Sequence, residues 1–200
     1  MTKLDALLTV EIGTSSCKSI IFAASGAKVS EASQGYRSFY PKSNWVEQNP
    51  DDWYDTAVQT TRKCVKAAAK KRVKLRCLAF TGQMHAVVPV DRRGAALAHC
   101  MVLQDRRSEK QHLEAASKIS GEEIHRISGG ILDPYMPALK IMWIRENEPE
   151  IFKKARSFLP PKDYVRNRIT GTFRTDPIDA SGTMLYDITS NKWSNELASL

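Results

Sequence analysis

Two apolar segments near the start of the chain flank a short polar turn. The segments cover residues 7–12 and 17–23, and the turn between them is Gly13-Thr-Ser-Ser16. This pattern predicts a β-hairpin. The backbone N–H groups of such a turn form a concavity suited to a phosphate, and the nearby acid Glu11 would act on that phosphate through Mg²⁺. Taken alone, this stretch favours the simpler alternative, an ordinary hairpin with a half-buried acid.

The pattern further along the chain places strands first and helices later. A polar-alternating strand over about 27–38 precedes a loop over 40–50, a helix over about 51–71 and a strand over 73–81. Further short strands are predicted over 87–90, 95–97, 100–103 and 156–159, and further helices over 108–119, 121–128, 137–147, 148–155 and 161–170. This order predicts an α/β domain with a mixed sheet.

Three polar motifs follow predicted strands. They occupy residues 11–16, 82–85 and 104–107. Ligands of open α/β sheets gather outside the strand ends, so these motifs are the candidate binding residues.

Length and composition indicate a globular chain with a sizeable core. The 200 residues are 42% hydrophobic and 26% charged, and no apolar stretch is long enough to span a membrane. The first residues lack the apolar segment of a signal peptide, so a cytoplasmic location and no membrane partner are predicted. The four cysteines show neither CxxC nor zinc-finger spacing, and reduced, half-buried thiols are expected.

The net charge of +8 is concentrated in one segment. Residues 62–76 contain eight Lys and Arg residues and no acid, so a nucleic-acid patch is one interpretation. No aromatic residue is interleaved there for base stacking, and basic residues suit the C-terminal end of a helix. We therefore favour a solvated helix end and predict no nucleic-acid partner.

Several motifs, in a fixed order along the chain, are similar to those of one known family. Val10–Lys18 resembles its first phosphate motif, Asn44–Trp53 its Trp-x-Glu-Gln-Asn/Asp-Pro segment, and Gly82–His85 its sugar-pocket turn. The further matches are Asp105–Arg107, Tyr135–Asn147, Leu159–Arg166, Thr170–Gly171 and Thr175–Thr183. Over residues 7–193 the chain resembles the N-terminal domain of the FGGY carbohydrate kinases, and among them the xylulokinases most closely.

The resemblance implies an α/β, ribonuclease-H-like fold, the actin-like ATPase fold, with a mixed β-sheet and flanking helices. It implies a two-domain kinase that uses ATP and Mg²⁺ to phosphorylate a hydroxyl of D-xylulose, with gluconate, ribulose and glycerol as other sugars left open. The family's general base lies in a Gly-Gly-Asp stretch that residues 1–200 do not contain. We therefore expect residues 1–200 to be the N-terminal domain without the second, ATP-binding domain, and to be inactive alone.

The alternative function is that of a catalytically impaired kinase fragment that binds a sugar or regulates another protein. Under either function the expected partner is a small-molecule sugar. A homodimer is a further state that the sequence leaves open.

The resemblance assigns the hairpin turn to the phosphate. Gly13, Thr14 and Ser15 would surround the transferring phosphoryl group, because a glycine allows close backbone approach. Glu11 would be the catalytic acid that holds Mg²⁺. The family has Asp at this position, so Glu11 either shifts the cation or weakens the kinase, since a displacement of about 1 Å can cost roughly 10²-fold in rate.

The resemblance also assigns sugar contacts. Met84 would pack on the carbon skeleton of the sugar, and His85 would bind its hydroxyls; the alternative is that His85 merely caps a strand end. Asp105 either reaches the sugar or forms an ion pair with Arg107, and the ion pair is slightly favoured. Lys140 is expected to hold architecture rather than phosphate.

Overall fold

The structure of the chain, a computed structural model, describes residues 4–200, so the first three residues of the predicted domain lie outside it. The strands are β1 (Leu4–Ile12), β2 (Ser16–Ala23), β3 (Lys28–Gly35), β4 (Glu47–Gln48), β5 (Val73–Gly82), β6 (Val88–Val90), β7 (Cys100–Met101), β8 (Ser157–Leu159), β9 (Tyr186–Asp187) and β10 (Lys192–Trp193). The helices are α1 (Pro50–Ala68), α2 (Glu109–Lys118), α3 (Gly121–Ser128), α4 (Pro137–Asn147), α5 (Pro149–Lys154), α6 (Pro161–Thr170), α7 (Pro177–Ser181) and α8 (Asn195–Ala198), and a 3₁₀ turn, Ala69–Lys71, follows α1.

The central sheet has the strand order β3-β2-β1-β5. The strands β1, β2 and β3 are antiparallel neighbours, whereas β5 runs parallel to β1. A parallel pair needs a long crossover, and α1 lies between β3 and β5 in the chain. The remaining strands form the antiparallel pairs β4–β7, β6–β8 and β9–β10. The predicted mixed sheet with flanking helices is confirmed.

One face of the central sheet carries the first hydrophobic core. Alternate residues of β1, namely Ala6, Leu8, Val10 and Ile12, are at most 4% exposed, which is the period of two expected of a half-buried strand. They belong to one buried cluster with Trp53 of α1, which is 0% exposed. Burial of each large apolar side chain contributes about 1.5–3 kcal/mol, so this packing fixes the hairpin against α1.

The helix α1 begins one residue before the predicted start. Asn49 is its N-cap, accepting a hydrogen bond from the backbone N–H of Asp51, and Pro50 is its first residue, a position that suits proline. The preceding segment contains β4 instead of being a loop throughout, as its sequence predicts. The predicted third strand ends at Gly35 rather than near residue 38.

A second core lies among the helices that follow β7. Its buried residues come from α2, α3, α4 with its N-cap, α8 and the segment before β9, and they are Ala115, Ile124, Ile127, Met136, Ala138, Leu139, Met142, Met184 and Leu197. Within residues 4–200, no helix combines the length and the apolarity needed to cross a membrane.

The strand β5 is an edge of the central sheet in the described part of the chain. Leu75 is 39% exposed and Leu78 is 41% exposed. Cys77 on the same strand is exposed, while the other three cysteines are buried and unbridged. The half-buried state predicted for the thiols is therefore wrong in detail, although their reduced state agrees with the structure.

Candidate functional site

The predicted phosphate turn connects β1 to β2. The Gly13 N–H donates to the Ser16 carbonyl at 3.0 Å, and the Tyr36 hydroxyl donates to the Gly13 carbonyl. Thr14 and Ser15 are exposed, and within residues 4–200 their amide groups donate to no protein acceptor. The turn thus presents free N–H groups to solvent, as an anion-binding turn requires.

Glu11 lies beside this turn. A Cβ atom added to Gly13 would be 4.0 Å from a carboxylate oxygen of Glu11, so the acid reaches the turn. Lys18 stands opposite Glu11 in the β1–β2 register, yet no ion pair within 4.0 Å joins Glu11 to any described residue. The carboxylate therefore remains available.

The donors around Glu11 fit Mg²⁺ rather than a cage-bound metal. Among residues 4–200, no group of three or more His, Cys, Asp or Glu side chains is placed to hold a metal. Magnesium keeps several waters and is commonly held by one or two carboxylates plus phosphate oxygens. A single carboxylate beside a phosphate turn satisfies that pattern.

The turn after β5 carries His85 in a left-handed conformation, with φ of 55°. The His85 ring nitrogen Nδ1 lies 2.9 Å from the Gly182 carbonyl, and because a carbonyl only accepts, Nδ1 carries a proton; in the neutral ring Nε2 is then an acceptor. The ring packs against Tyr135 with centroids 5.1 Å apart. The buried ammonium of Lys140 donates to the carbonyls of His85 and Val102 at 2.8 Å and 2.6 Å. The architectural role predicted for Lys140 agrees with these contacts.

A cavity of about 300 Å³ opens beside His85. Its lining residues include the polar Ser128, Tyr135 and Ser181 and the glycines Gly129 and Gly130. This volume is that of a small-ligand site. Met84 is 56% exposed and lines a smaller neighbouring cavity of about 90 Å³ that His85 shares.

Asp105 does not reach either cavity. It is 0% exposed, and its carboxylate accepts from the Val46 N–H at 2.7 Å and from the Arg107 guanidinium at 2.7–3.1 Å. Arg107 also pairs with Glu47 at 2.6 Å and lies over the Trp45 ring, 3.6 Å from its centre. This geometry supports the ion-pair alternative for Asp105. Asp105 and Arg107 lie in the segment after β7, and their contacts with Val46 and Glu47 connect that segment to the one before α1.

Two polar residues of the site, the buried Gln48 and the half-buried Lys162, carried no role in the sequence interpretation. Gln48 contacts both the hairpin turn and Gln83. Lys162 lies next to Gly82, the last residue of β5, since a Cβ added to Gly82 would be 3.4 Å from the Lys162 Cβ. No local pattern indicates either role, because Gln48 contacts Thr14 and Gln83, and Lys162 contacts Asp176 and Asp179, all of which are more than ten residues away in the chain.

Lys162 holds the helix α7 in place. Its ammonium lies 2.7 Å from Asp176, 2.9 Å from Asp179 and 3.1 Å from Asp163. Burial alone would lower the pKa of Lys162, but its hydrogen bonds to Asp176 and Asp179 outweigh burial and raise the pKa well above its usual range. Because α7 leads directly to Gly182, this cluster supports the carbonyl that orients His85.

Comparison with known proteins places these features in a family. The model of the FGGY family of carbohydrate kinases, N-terminal domain, matches residues 6–200. The xylulose kinase of Bacillus subtilis is 32% identical over 192 residues, which are 96% of this chain and 38% of the relative. The gluconokinase of the same organism is 28% identical over 190 residues, 95% of this chain and 37% of the relative. The chain thus spans about two fifths of the length of these relatives.

Solved structures share the same architecture. A protein from Brucella ovis described as a xyloylose kinase superposes with a TM-score of 0.90 at 28% identity, over 97% of this chain and 40% of that one. A Plasmodium falciparum glycerol kinase with ADP superposes with a TM-score of 0.92 at 23% identity, over 98% of this chain and 40% of that one. The predicted actin-like ATPase fold is confirmed.

Proposed function

Because the chain belongs to the FGGY family of carbohydrate kinases, we propose that it serves the ATP-dependent phosphorylation of a sugar hydroxyl. In this proposal the turn at residues 13–15 holds the transferring phosphate and the turn at residues 82–85 holds the sugar. The carrying observation is that the Gln83 N–H donates to the Ile12 carbonyl at 2.8 Å. The two turns are therefore adjacent, as in-line transfer requires.

The phosphate half of the proposal rests on the exposed turn. The free amides of Thr14 and Ser15 would donate to phosphate oxygens, and Gly13 allows the phosphate to approach the backbone. Mg²⁺ held by Glu11 would neutralise charge on the phosphate. ATP as the donor is supported by the fold shared with the ADP-containing glycerol kinase.

The sugar half rests on the cavity at His85. The free Nε2 of His85 would accept a hydrogen bond from a sugar hydroxyl, and Met84 would pack on the carbon skeleton. The cavity lining contains no Arg or Lys among the described residues, so a neutral sugar suits it better than the carboxylate of gluconate. We therefore propose D-xylulose as the first candidate substrate, with glycerol and gluconate behind it.

A catalytically impaired, sugar-binding protein is the second candidate function. Glu11 favours it, because the longer side chain would displace a cation from the position that Asp gives it. The variant Glu11→Asp separates the two functions. The test is calorimetric titration of the 200-residue chain with Mg²⁺ in the presence of inorganic phosphate: clearly tighter Mg²⁺ binding by the variant would mean that Glu11 impairs the metal site, and equal or weaker binding would leave Glu11 as a competent magnesium ligand.

The first experiment is calorimetric titration of the 200-residue chain with D-xylulose, gluconate and glycerol. We expect D-xylulose to bind most tightly and the variant His85→Asn to bind it at least about tenfold more weakly, the worth of a lost buried hydrogen bond. Asn is chosen because it tolerates the left-handed backbone at this position.

The matched control for that titration is His99→Asn. His99 stacks on Phe39 and lies outside the cavity, so this variant should bind like the parent protein. Equal affinity of the His85→Asn variant and the parent would refute the sugar contact, and the absence of binding to all three sugars would refute the sugar site.

A further inference from the structure

A single buried side chain, Gln48, connects the two turns of the candidate site. It is 1% exposed and lies on β4, directly before α1. Its amide nitrogen donates to the Thr14 carbonyl at 2.7 Å and to the Ser38 hydroxyl at 2.9 Å. Its amide oxygen accepts from the Trp53 indole N–H at 3.0 Å and from the Gln83 side-chain amide at 2.8 Å. The full hydrogen-bonding capacity of the carboxamide is thus used.

The partners of Gln48 determine which way its amide points. The indole N–H of Trp53 only donates, and the carbonyl of Thr14 only accepts. A flipped amide would therefore place two donors together on one side and two acceptors together on the other. In a buried environment both mismatches are costly, so the orientation is fixed by chemistry.

The contact to Thr14 also sets the direction of the next amide group. A trans peptide unit is planar, with its C=O and N–H pointing in opposite directions. Because the Thr14 carbonyl points toward Gln48 to accept its hydrogen bond, the N–H of Ser15 points away from Gln48. Ser15 is exposed, so this donor faces the place proposed for the phosphate.

We propose that Gln48 is a positioning residue whose carboxamide holds the turn at 13–15 at a fixed distance from the turn at 82–85. The inference rests on the proposed function for what the two turns bind. A sugar at His85 and a phosphate at Ser15 would then keep a constant separation. Geometric control of this kind matters because a misplacement of about 1 Å can cost roughly 10²-fold in rate.

Three variants of the 200-residue chain test this role. Gln48→Met keeps the side-chain length and removes all four hydrogen bonds. Gln48→Glu keeps the acceptors for Trp53 and Gln83 but, when ionised, loses the donor to Thr14. Gln111→Met is the matched control, because Gln111 is also 1% exposed and lies on α2, away from the turns.

The measurement is amide hydrogen exchange by NMR in the absence of sugar, with the Trp53 indole signal recorded alongside. We expect two N–H groups to exchange about tenfold faster in Gln48→Met than in the parent protein: that of Gly13, which donates to Ser16 within the first turn, and that of Gln83, which donates to Ile12 at the end of β1. The Gln111→Met variant should leave both protection factors unchanged.

The Gln48→Glu variant gives a readout that general loosening would not produce. Burial raises the pKa of a carboxyl group, and a protonated carboxyl can donate to the Thr14 carbonyl as the native amide does. Protection of Gly13, taken relative to the parent protein at each pH, should be lost at high pH and recovered on acidification. The Trp53 indole signal should stay hydrogen-bonded throughout.

Each result decides the proposal. Unchanged protection in Gln48→Met, equal loss in Gln111→Met, or no recovery of Gln48→Glu on acidification would overturn it. Failure of the proposed function would appear separately, as a parent protein that binds no sugar while the exchange pattern of the three variants still holds.

Discussion

The buried ammonium of Lys140 makes a sharp prediction about stability and pH. Lys140 is 0% exposed, and no carboxylate of residues 4–200 lies within ion-pair distance of it. Burial lowers its pKa from 10.5 to about 8. The substitution Lys140→Met removes this titrating group, fills most of its volume and leaves the carbonyls of His85 and Val102 without their donor.

The size and sign of the effect follow from proton linkage. Between pH 8 and 10.5 the unfolded chain holds the Lys140 proton and the folded chain does not, so stability rises with pH through this window. At about 1.4 kcal/mol per pKa unit, the parent protein gains about 2–3 kcal/mol from Lys140 between pH 7 and pH 10. The Met variant lacks this gain, so the cost of the substitution should be smallest near pH 7 and grow toward pH 10.

Urea denaturation at pH 7, 8.5 and 10 measures this cost as the difference between parent and variant. The control is Lys153→Met, since Lys153 is exposed on α5 and pairs with the exposed Glu150. The difference in unfolding free energy between Lys153→Met and the parent protein should stay constant from pH 7 to pH 10. A cost for Lys140→Met that is constant or that shrinks as the pH rises would refute the desolvation argument.

Two further substitutions test packing around the site by urea denaturation. Arg107→Met should destabilise the chain by about 3–5 kcal/mol, because it leaves the fully buried carboxylate of Asp105 without its charged partner; a loss below about 1 kcal/mol would contradict this. Gly94→Ala should cost clearly more than Gly26→Ala, although both positions have positive φ, since the new Cβ at residue 94 would lie 1.9 Å from the Asn167 amide oxygen while that at residue 26 meets open space. Equal costs would mean that Asn167 moves aside freely.

The regular elements were predictable where the signal is local. The hairpin strands follow from apolar runs around a Gly-containing turn, and α6 follows from Pro161 at its start and Gly171 at its end. The strand β4 was missed because its two residues acquire strand geometry only by pairing with Met101 and Cys100. Such pairing leaves no periodic pattern in the sequence.

The sequence predicted which motifs form the site, but it did not predict the contacts that their side chains make. Sequence order placed Gly13 and His85 near strand ends, but it could not show that the Asp105 carboxylate accepts hydrogen bonds from Val46 and Arg107. The role of Gln48 was equally hidden, because its partners Thr14 and Gln83 are 34 and 35 residues away. The role of a buried polar residue follows from its hydrogen-bond partners. Partners that are far apart in the chain are brought together only by the fold.

The exposed edge strand β5 has a consequence for how copies of this chain behave in solution. An open strand edge with leucines at its surface is a template for pairing with another chain, and β5 offers Leu75 and Leu78 in that setting. Its main protection is the charge of Lys74 together with the basic residues that precede the strand, since Arg76 pairs with Asp5 at 2.8 Å. Because salt screens such repulsion, the chain should be most resistant to self-association in dilute buffer and least resistant at high ionic strength.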